Sequence, residues 1–357
     1  MKKKLLSVLL CTCMAGAFMT GCGDKSESDE SVPAVAETTA AAGTVTEAEE
    51  ETIMVETTQE ASTEVSEETT TEADDEENYN TGDASLDNPR NEDGIGENEL
   101  LVVSFGTSFN DSRRLTVGAI EAALEENFED FDVRRGFTSQ IIIDHVKSRD
   151  NVAIDNVTEA LDRAVDNGVK KLVIQPTHLM NGLEYNDVID EVAGYADAFE
   201  QVVVGEPLLT SDEDFEKVIA AITEATAEYD DGTTAICFMG HGTEADSNGV
   251  YAKMQEMLKD AGYDNYYIGT VEAEPTVDDV LAQVQAGEYK KVVLEPLMIV
   301  AGDHANNDMA GDEEDSWKSV FENAGYEVEC VLRGLGELEA IQNIFVEHAQ
   351  AAVDQLN

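Results

Sequence analysis

The chain has 357 residues, of which 77 are Asp or Glu and 21 are Lys or Arg, for a formal net charge of −56 at neutral pH. So large an excess of carboxylates makes nucleic acid and anionic lipid poor partners. Five cysteines, three of them before residue 23, give no disulfide framework.

Lys2, Lys3 and Lys4, the apolar stretch 5–19, and then Thr20, Gly21 and Cys22 read as a secretory leader over residues 1–22. The apolar stretch is too short for a comfortable membrane span. Small Gly21 directly before Cys22 resembles the lipobox of bacterial lipoproteins, in which the cysteine is acylated after cleavage. The expectation is an exported protein, lipidated at Cys22 and held at the outer face of the cytoplasmic membrane by that lipid alone.

Residues 23–97 contain 24 Asp and Glu against only Lys25 and Arg90, with abundant Thr, Ser and Ala and no sustained apolar period. That composition predicts a disordered, self-repelling tether. The leader contributes +3 and the tether −22, which leaves −37 for residues 98–357. The folded part is therefore acidic in its own right.

Those remaining residues suffice for one large α/β domain or two similar lobes. Strand-like runs at 100–105, 131–137, 171–175, 201–205, 233–239, 266–271, 291–296 and 327–332 alternate with stretches of helical period. Such alternation predicts parallel sheets wrapped by helices. Residues 170–182 match 290–302 without a gap, and Ser104, Phe105, Gly106 and Thr107 match Gly240, His241, Gly242 and Thr243. The fold class expected is α/β, with two similar four-stranded lobes, 98–225 and 226–357, facing each other across a cleft.

Three apolar runs of the second half end in a metal-ligating residue: His241, Glu272 and His304. In an open α/β sheet the carboxyl ends of parallel strands share one edge, so the three can converge on one cleft. Two imidazoles and a carboxylate accept Co²⁺, Fe²⁺, Ni²⁺ or Zn²⁺. In the register of the repeat, His241 stands where the first half has Phe105, and His304 where it has Glu184. The imidazoles are thus specific to the second half.

Residues 101–108, 238–243, 269–272 and 296–309, continuing through Gly311 to Trp317, closely resemble the anaerobic sirohydrochlorin cobaltochelatases. The resemblance covers essentially all of 98–357. It implies a ferrochelatase-like enzyme of two similar α/β lobes, a lyase-class chelatase that inserts Co²⁺ into a tetrapyrrole without ATP or another nucleotide cofactor on the anaerobic route to cobalamin. It also implies that His241 and His304 are the metal-site histidines and Glu272 the metal-site carboxylate. Metallation expels two pyrrole N–H protons, and the hypothesis that follows from this chemistry is that one of the two histidines accepts a proton as the metal transfers.

Further candidates lie in the first half. Glu184 could assist proton removal or metal delivery, or be a carboxylate placed at a helix start by the dipole. His178, inside the repeated apolar run, reads as core, and His145 and His348 are assigned no chemistry. The many carboxylates of sirohydrochlorin call for local donors, for which Ser104, Thr107, Ser108, Arg113 and Arg114 are the substrate-binding candidates, with Arg134 and Arg135 on the second strand. Cys237 and Cys330 read as buried thiols. No GxSxG elbow and no two-metal cluster supports a hydrolase. A rival reading suits the export signal: a lipoprotein that captures haem, another tetrapyrrole or a metal ion and hands it to a transporter partner. A homo-oligomer is compatible with the sequence, which does not encode the oligomeric state.

Overall fold

The computed structural model describes residues 81–356; the leader, Cys22 and residues 23–80 lie outside them. Eight strands form two sheets. β1 (Asn98–Ser104), β2 (Asp132–Phe137), β3 (Lys171–Pro176) and β4 (Gln201–Val204) make the first, in the order β2-β1-β3-β4. β5 (Thr234–Gly240), β6 (Tyr266–Thr270), β7 (Lys291–Pro296) and β8 (Glu327–Cys330) make the second, in the order β6-β5-β7-β8. All pairings are parallel, with Leu101 opposite Ile174 in one sheet and Cys237 opposite Leu294 in the other.

The helices are α1 (Asn110–Leu115), α2 (Val117–Asn127), α3 (Gln140–Asp150), α4 (Val157–Asn167), α5 (Leu183–Gly194), α6 (Asp212–Ala225), α7 (Gly249–Asp260), α8 (Val277–Gln285), α9 (Trp317–Asn323) and α10 (Glu339–Val353). Because they cover both sheet faces, the central strands carry continuous apolar runs in their middles rather than alternating. Leu100, Leu101, Val102 and Val103 of β1 and Ile236, Cys237 and Phe238 of β5 have no exposed surface. Cys237 is thus a core thiol, and Cys330 is half-buried.

The repeat extends to individual backbone hydrogen bonds. Thr138 and Ser139 donate to the carbonyls of Ser104 and Phe105, as Val271 and Glu272 donate to those of Gly240 and His241. Leu208 and Leu209 donate to His178 and Leu179, as Leu335 and Gly336 donate to Met298 and Ile299.

The halves are not independent, because α10 crosses back to pack on α2, α6 and β3 of the first half. His348 fastens it there, with Nε2 3.1 Å from Asp214 Oδ1 and Nδ1 3.2 Å from the Glu206 carbonyl. One core cluster accordingly joins Leu100 and Val173 to Ile236, Phe238, Ile344 and Phe345.

Residues 81–97, assigned to the tether by composition, are instead part of the fold. Thr81 accepts from the Asp111 amide (2.8 Å), and Asn91 donates to the Ala153 carbonyl (2.9 Å). Asp87 is inserted between two buried guanidinium groups, 2.7 Å from Arg113 Nε and 2.7 Å from Arg135 Nη1. Carboxylate and cations bury together there because each satisfies the others.

Candidate metal centre

His241, Glu272 and His304 meet at the carboxyl edge of the second sheet. His241 is the first residue after β5, and the chain turns immediately at Gly242, whose φ of +91° suits glycine. The Gly242 amide donates to the Tyr251 hydroxyl (3.2 Å), which fixes the turn against α7. Glu272 follows β6, and its amide donates to the His241 carbonyl (2.8 Å), so two of the three candidates are tied through the backbone. His304 ends the segment after β7 and opens a π-helical turn, Ala305–Met309. Single π turns of this kind are frequent at functional sites.

One potential ligand atom from each of the three side chains lies within 4.8 Å of the other two. The imidazole centroids are 4.7 Å apart and the rings nearly perpendicular, at 88°. Donors sharing one first-row ion at about 2 Å stand roughly 3–4 Å apart, so small side-chain rotations close the set. Glu272 and His241 are exposed and His304 is half-buried, so the outward coordination positions remain open to another ligand.

Nδ1 of both imidazoles has an outer contact, and Nδ1 of His241 also lies 3.6 Å from Glu272 Oε2. Nδ1 of His241 lies 2.9 Å from the Gly242 carbonyl, which only accepts, so in the neutral ring Nδ1 carries the proton and Nε2 the lone pair. Nδ1 of His304 lies 2.7 Å from Asp308 Oδ2, with the same consequence. The Asp308 hydrogen bond raises the His304 pKa above its ordinary value against the opposing effect of burial, with Asp303 and Glu272 adding to the rise. Asp308 was not singled out from the sequence, although its i+4 spacing from His304 was a usable signal.

Glu184 is the second residue of α5, with its side chain about half exposed. Burial of its carboxyl raises the pKa, opposed by the charge of His241, which relates it electrostatically to the second half. Its Oε2 lies 3.6 Å from Nε2 of His178. His178 is buried, and burial holds its pKa down at about 4. Neither of its ring nitrogens has a hydrogen-bond partner among the described residues.

The proposed substrate-binding residues are placed differently from expectation. Ser104, Thr107 and Ser108 are buried, and Ser104 Oγ is 2.6 Å from Thr177 Oγ1. Thr107 packs toward Gly302 of the second half, so this turn belongs to the junction between the sheets. Arg113 has no exposed surface and is held by Asp87 and Asn110, while Arg114 pairs with Asp111 at 3.2 Å. Arg135 is clamped by Asp87 and Glu121, and Arg134 donates to the Arg90 and Glu92 carbonyls. Arg113, Arg134 and Arg135 thus hold residues 81–97 down, whereas Arg114 is paired within its own helix.

A family model described as cobalt chelatase (CbiK) matches residues 98–354. The sirohydrochlorin cobaltochelatase of Salmonella typhimurium is 37% identical over 255 residues, 71% of this chain and 96% of that protein. The sirohydrochlorin cobaltochelatase CbiKC of Nitratidesulfovibrio vulgaris is 32% identical over 260 residues, 72% of this chain and 91% of that protein. Among solved structures, SirB from Bacillus subtilis with Fe³⁺ aligns at a TM-score of 0.49 with 11% identity, over 72% of this chain and 96% of that one.

Proposed function

The chain belongs to the cobalt chelatase family, and from that membership we propose that it inserts Co²⁺ into sirohydrochlorin, with His241, Glu272 and His304 as the metal-delivery site. The observation that carries the residue assignment is the convergence of those three side chains, each following a different strand, with a hydrogen-bond partner at Nδ1 of both imidazoles.

Insertion exchanges one divalent ion for two pyrrole protons, so the site needs a cation holder and proton acceptors. Glu272 offsets part of the metal charge and the imidazoles complete a three-ligand site that still has room for pyrrole nitrogens. As Co²⁺ passes to the macrocycle, Nε2 of His304 is released, and the raised basicity conferred by Asp308 suits it to take one proton. Glu184, whose carboxyl is made more basic by burial, is the acceptor for the other. No nucleotide takes part in this exchange. Fe²⁺, Ni²⁺ and Zn²⁺ satisfy the same donor set.

An exported, lipid-anchored location rests on the sequence of residues 1–22, which lie outside the described structure. Fatty-acid labelling of the full chain, lost in Cys22→Ser, is the expected result.

The test of function is an anaerobic absorbance time course of the protein with sirohydrochlorin and Co²⁺, beside His241→Ala and His304→Ala. Multiple turnovers in the wild type that vanish in both variants support the assignment. Stoichiometric binding with no rate above the protein-free control would replace it with a carrier.

A further inference from the structure

Each position around the metal centre has a counterpart in the first half, two of them fixed by an equivalent backbone hydrogen bond and the third by spacing from the strand end. The Ser139 amide donates to the Phe105 carbonyl (3.3 Å) as Glu272 donates to His241 (2.8 Å). Glu184 and His304 stand equally far beyond Pro176 and Pro296, the last residues of β3 and β7. Phe105, Ser139 and Glu184 therefore occupy the places of His241, Glu272 and His304.

Phe105 is 45% exposed, an uncommon fate for a large aromatic ring. The core does not need it: Phe137 fills the space beneath the turn, lying 2.4 Å from where a Cβ would stand on Gly106, whose φ is +100°. Phe105 instead lines an open cavity of about 370 Å³ together with Thr138, Gln140, Val188 and Glu184. Two more large apolar residues near this edge, Ile141 and Leu183, are also exposed, at 61% and 66%.

We infer that Phe105 is a tetrapyrrole-binding residue, its ring supporting one face of the macrocycle while the metal comes from His241, Glu272 and His304. This rests on the chelatase reading above. A flat conjugated ligand gains apolar and π contact from such a ring without using its carboxylates. Affinity of that kind suits a domain whose buried arginines are committed to Asp87, Glu121 and main-chain carbonyls.

The experiment compares Phe105→Ala, Phe105→Leu and Phe105→Trp with the wild-type protein in anaerobic Co²⁺ insertion, with Co²⁺ affinity titrated separately. Phe105→Ala is expected to raise KM for sirohydrochlorin about tenfold, with kcat and Co²⁺ affinity little changed. Phe105→Leu should fall between, and Phe105→Trp should retain the wild-type KM. The new indole should be quenched by metal-free sirohydrochlorin, against the background of the buried Trp317. A KM in Phe105→Ala within about twofold of wild type, or absence of quenching in Phe105→Trp, overturns the assignment. Failure of the wild type to metallate strikes the chelatase reading instead, and the quenching titration still decides whether Phe105 meets the macrocycle.

Discussion

Asp308 Oδ2 lies 2.7 Å from Nδ1 of His304, four residues earlier across a π-helical turn, and this contact both orients the imidazole and raises its pKa. Metal and proton compete for Nε2, so the raised pKa moves the onset of proton competition above the ordinary histidine value of 6.5. Co²⁺ affinity should therefore fall as pH is lowered from 8 toward 6. In Asp308→Asn the pH midpoint should move down, while affinity at high pH drops roughly 10-fold because ring orientation and ligand basicity are lost. Co²⁺ titrations across that range check both; an unchanged midpoint would remove Asp308 from the site.

Asp87 precedes the family match at 98–354, yet its carboxylate binds Arg113 and Arg135, whose side chains have no exposed surface. Asp87→Ala leaves both guanidinium groups with part of their compensation gone. The cost of breaking a buried pair in this way is roughly 3–5 kcal/mol. Denaturant unfolding of Asp87→Ala beside wild type measures it, and a loss below about 1 kcal/mol would mean residues 81–97 are dispensable to the fold.

The architecture was readable because its signals are periodic and local. Eight apolar runs gave eight strands, and the duplicated Lys-Lys and Gly-Thr motifs gave two equivalent sheets. The convergence of His241, Glu272 and His304 followed from strand polarity, which places all carboxyl ends on one edge. The roles of Arg113 and Arg135 were not readable. Their partner Asp87 lies in a stretch whose average composition is that of a tether, and one buried ion pair does not change an average. The return of α10 to the first half was likewise hidden, because an amphipathic pattern does not say which sheet it covers.

Glu99 on β1 offers a test of buried charge away from the metal centre. Its carboxyl is 1% exposed, Oε2 has no hydrogen-bond partner among the described residues, and burial pushes its pKa up to about 8 from 4.5, against the opposing charge of Arg134. A folded pKa above the unfolded one means that the stabilising contribution is complete below pH 4.5 and is lost as pH rises to about 8. Across that window the slope is on the order of 1 kcal/mol per pH unit. Glu99→Gln, neutral and nearly isosteric, should flatten this part of the stability profile and be more stable than wild type at pH 8. Unfolding midpoints at pH 5 and pH 8 suffice, and parallel profiles for the two proteins would contradict it.

Glu184 is placed to separate metal holding from proton transfer, because it stands on the first half while the three metal-site candidates stand on the second. Glu184→Gln keeps the shape of the side chain and removes its basicity. If the carboxylate takes a pyrrole proton, kcat for Co²⁺ insertion should fall by about 100-fold or more, in the range general bases usually contribute. Co²⁺ affinity should stay close to wild type, and the rate of the variant should lose the acid limb that titration of this burial-raised carboxyl gives the wild type. A variant that instead binds Co²⁺ poorly while metallating at the normal rate under saturating metal would assign Glu184 to metal delivery. The pairing of a kcat profile with a metal titration therefore distinguishes a proton acceptor from a fourth ligand.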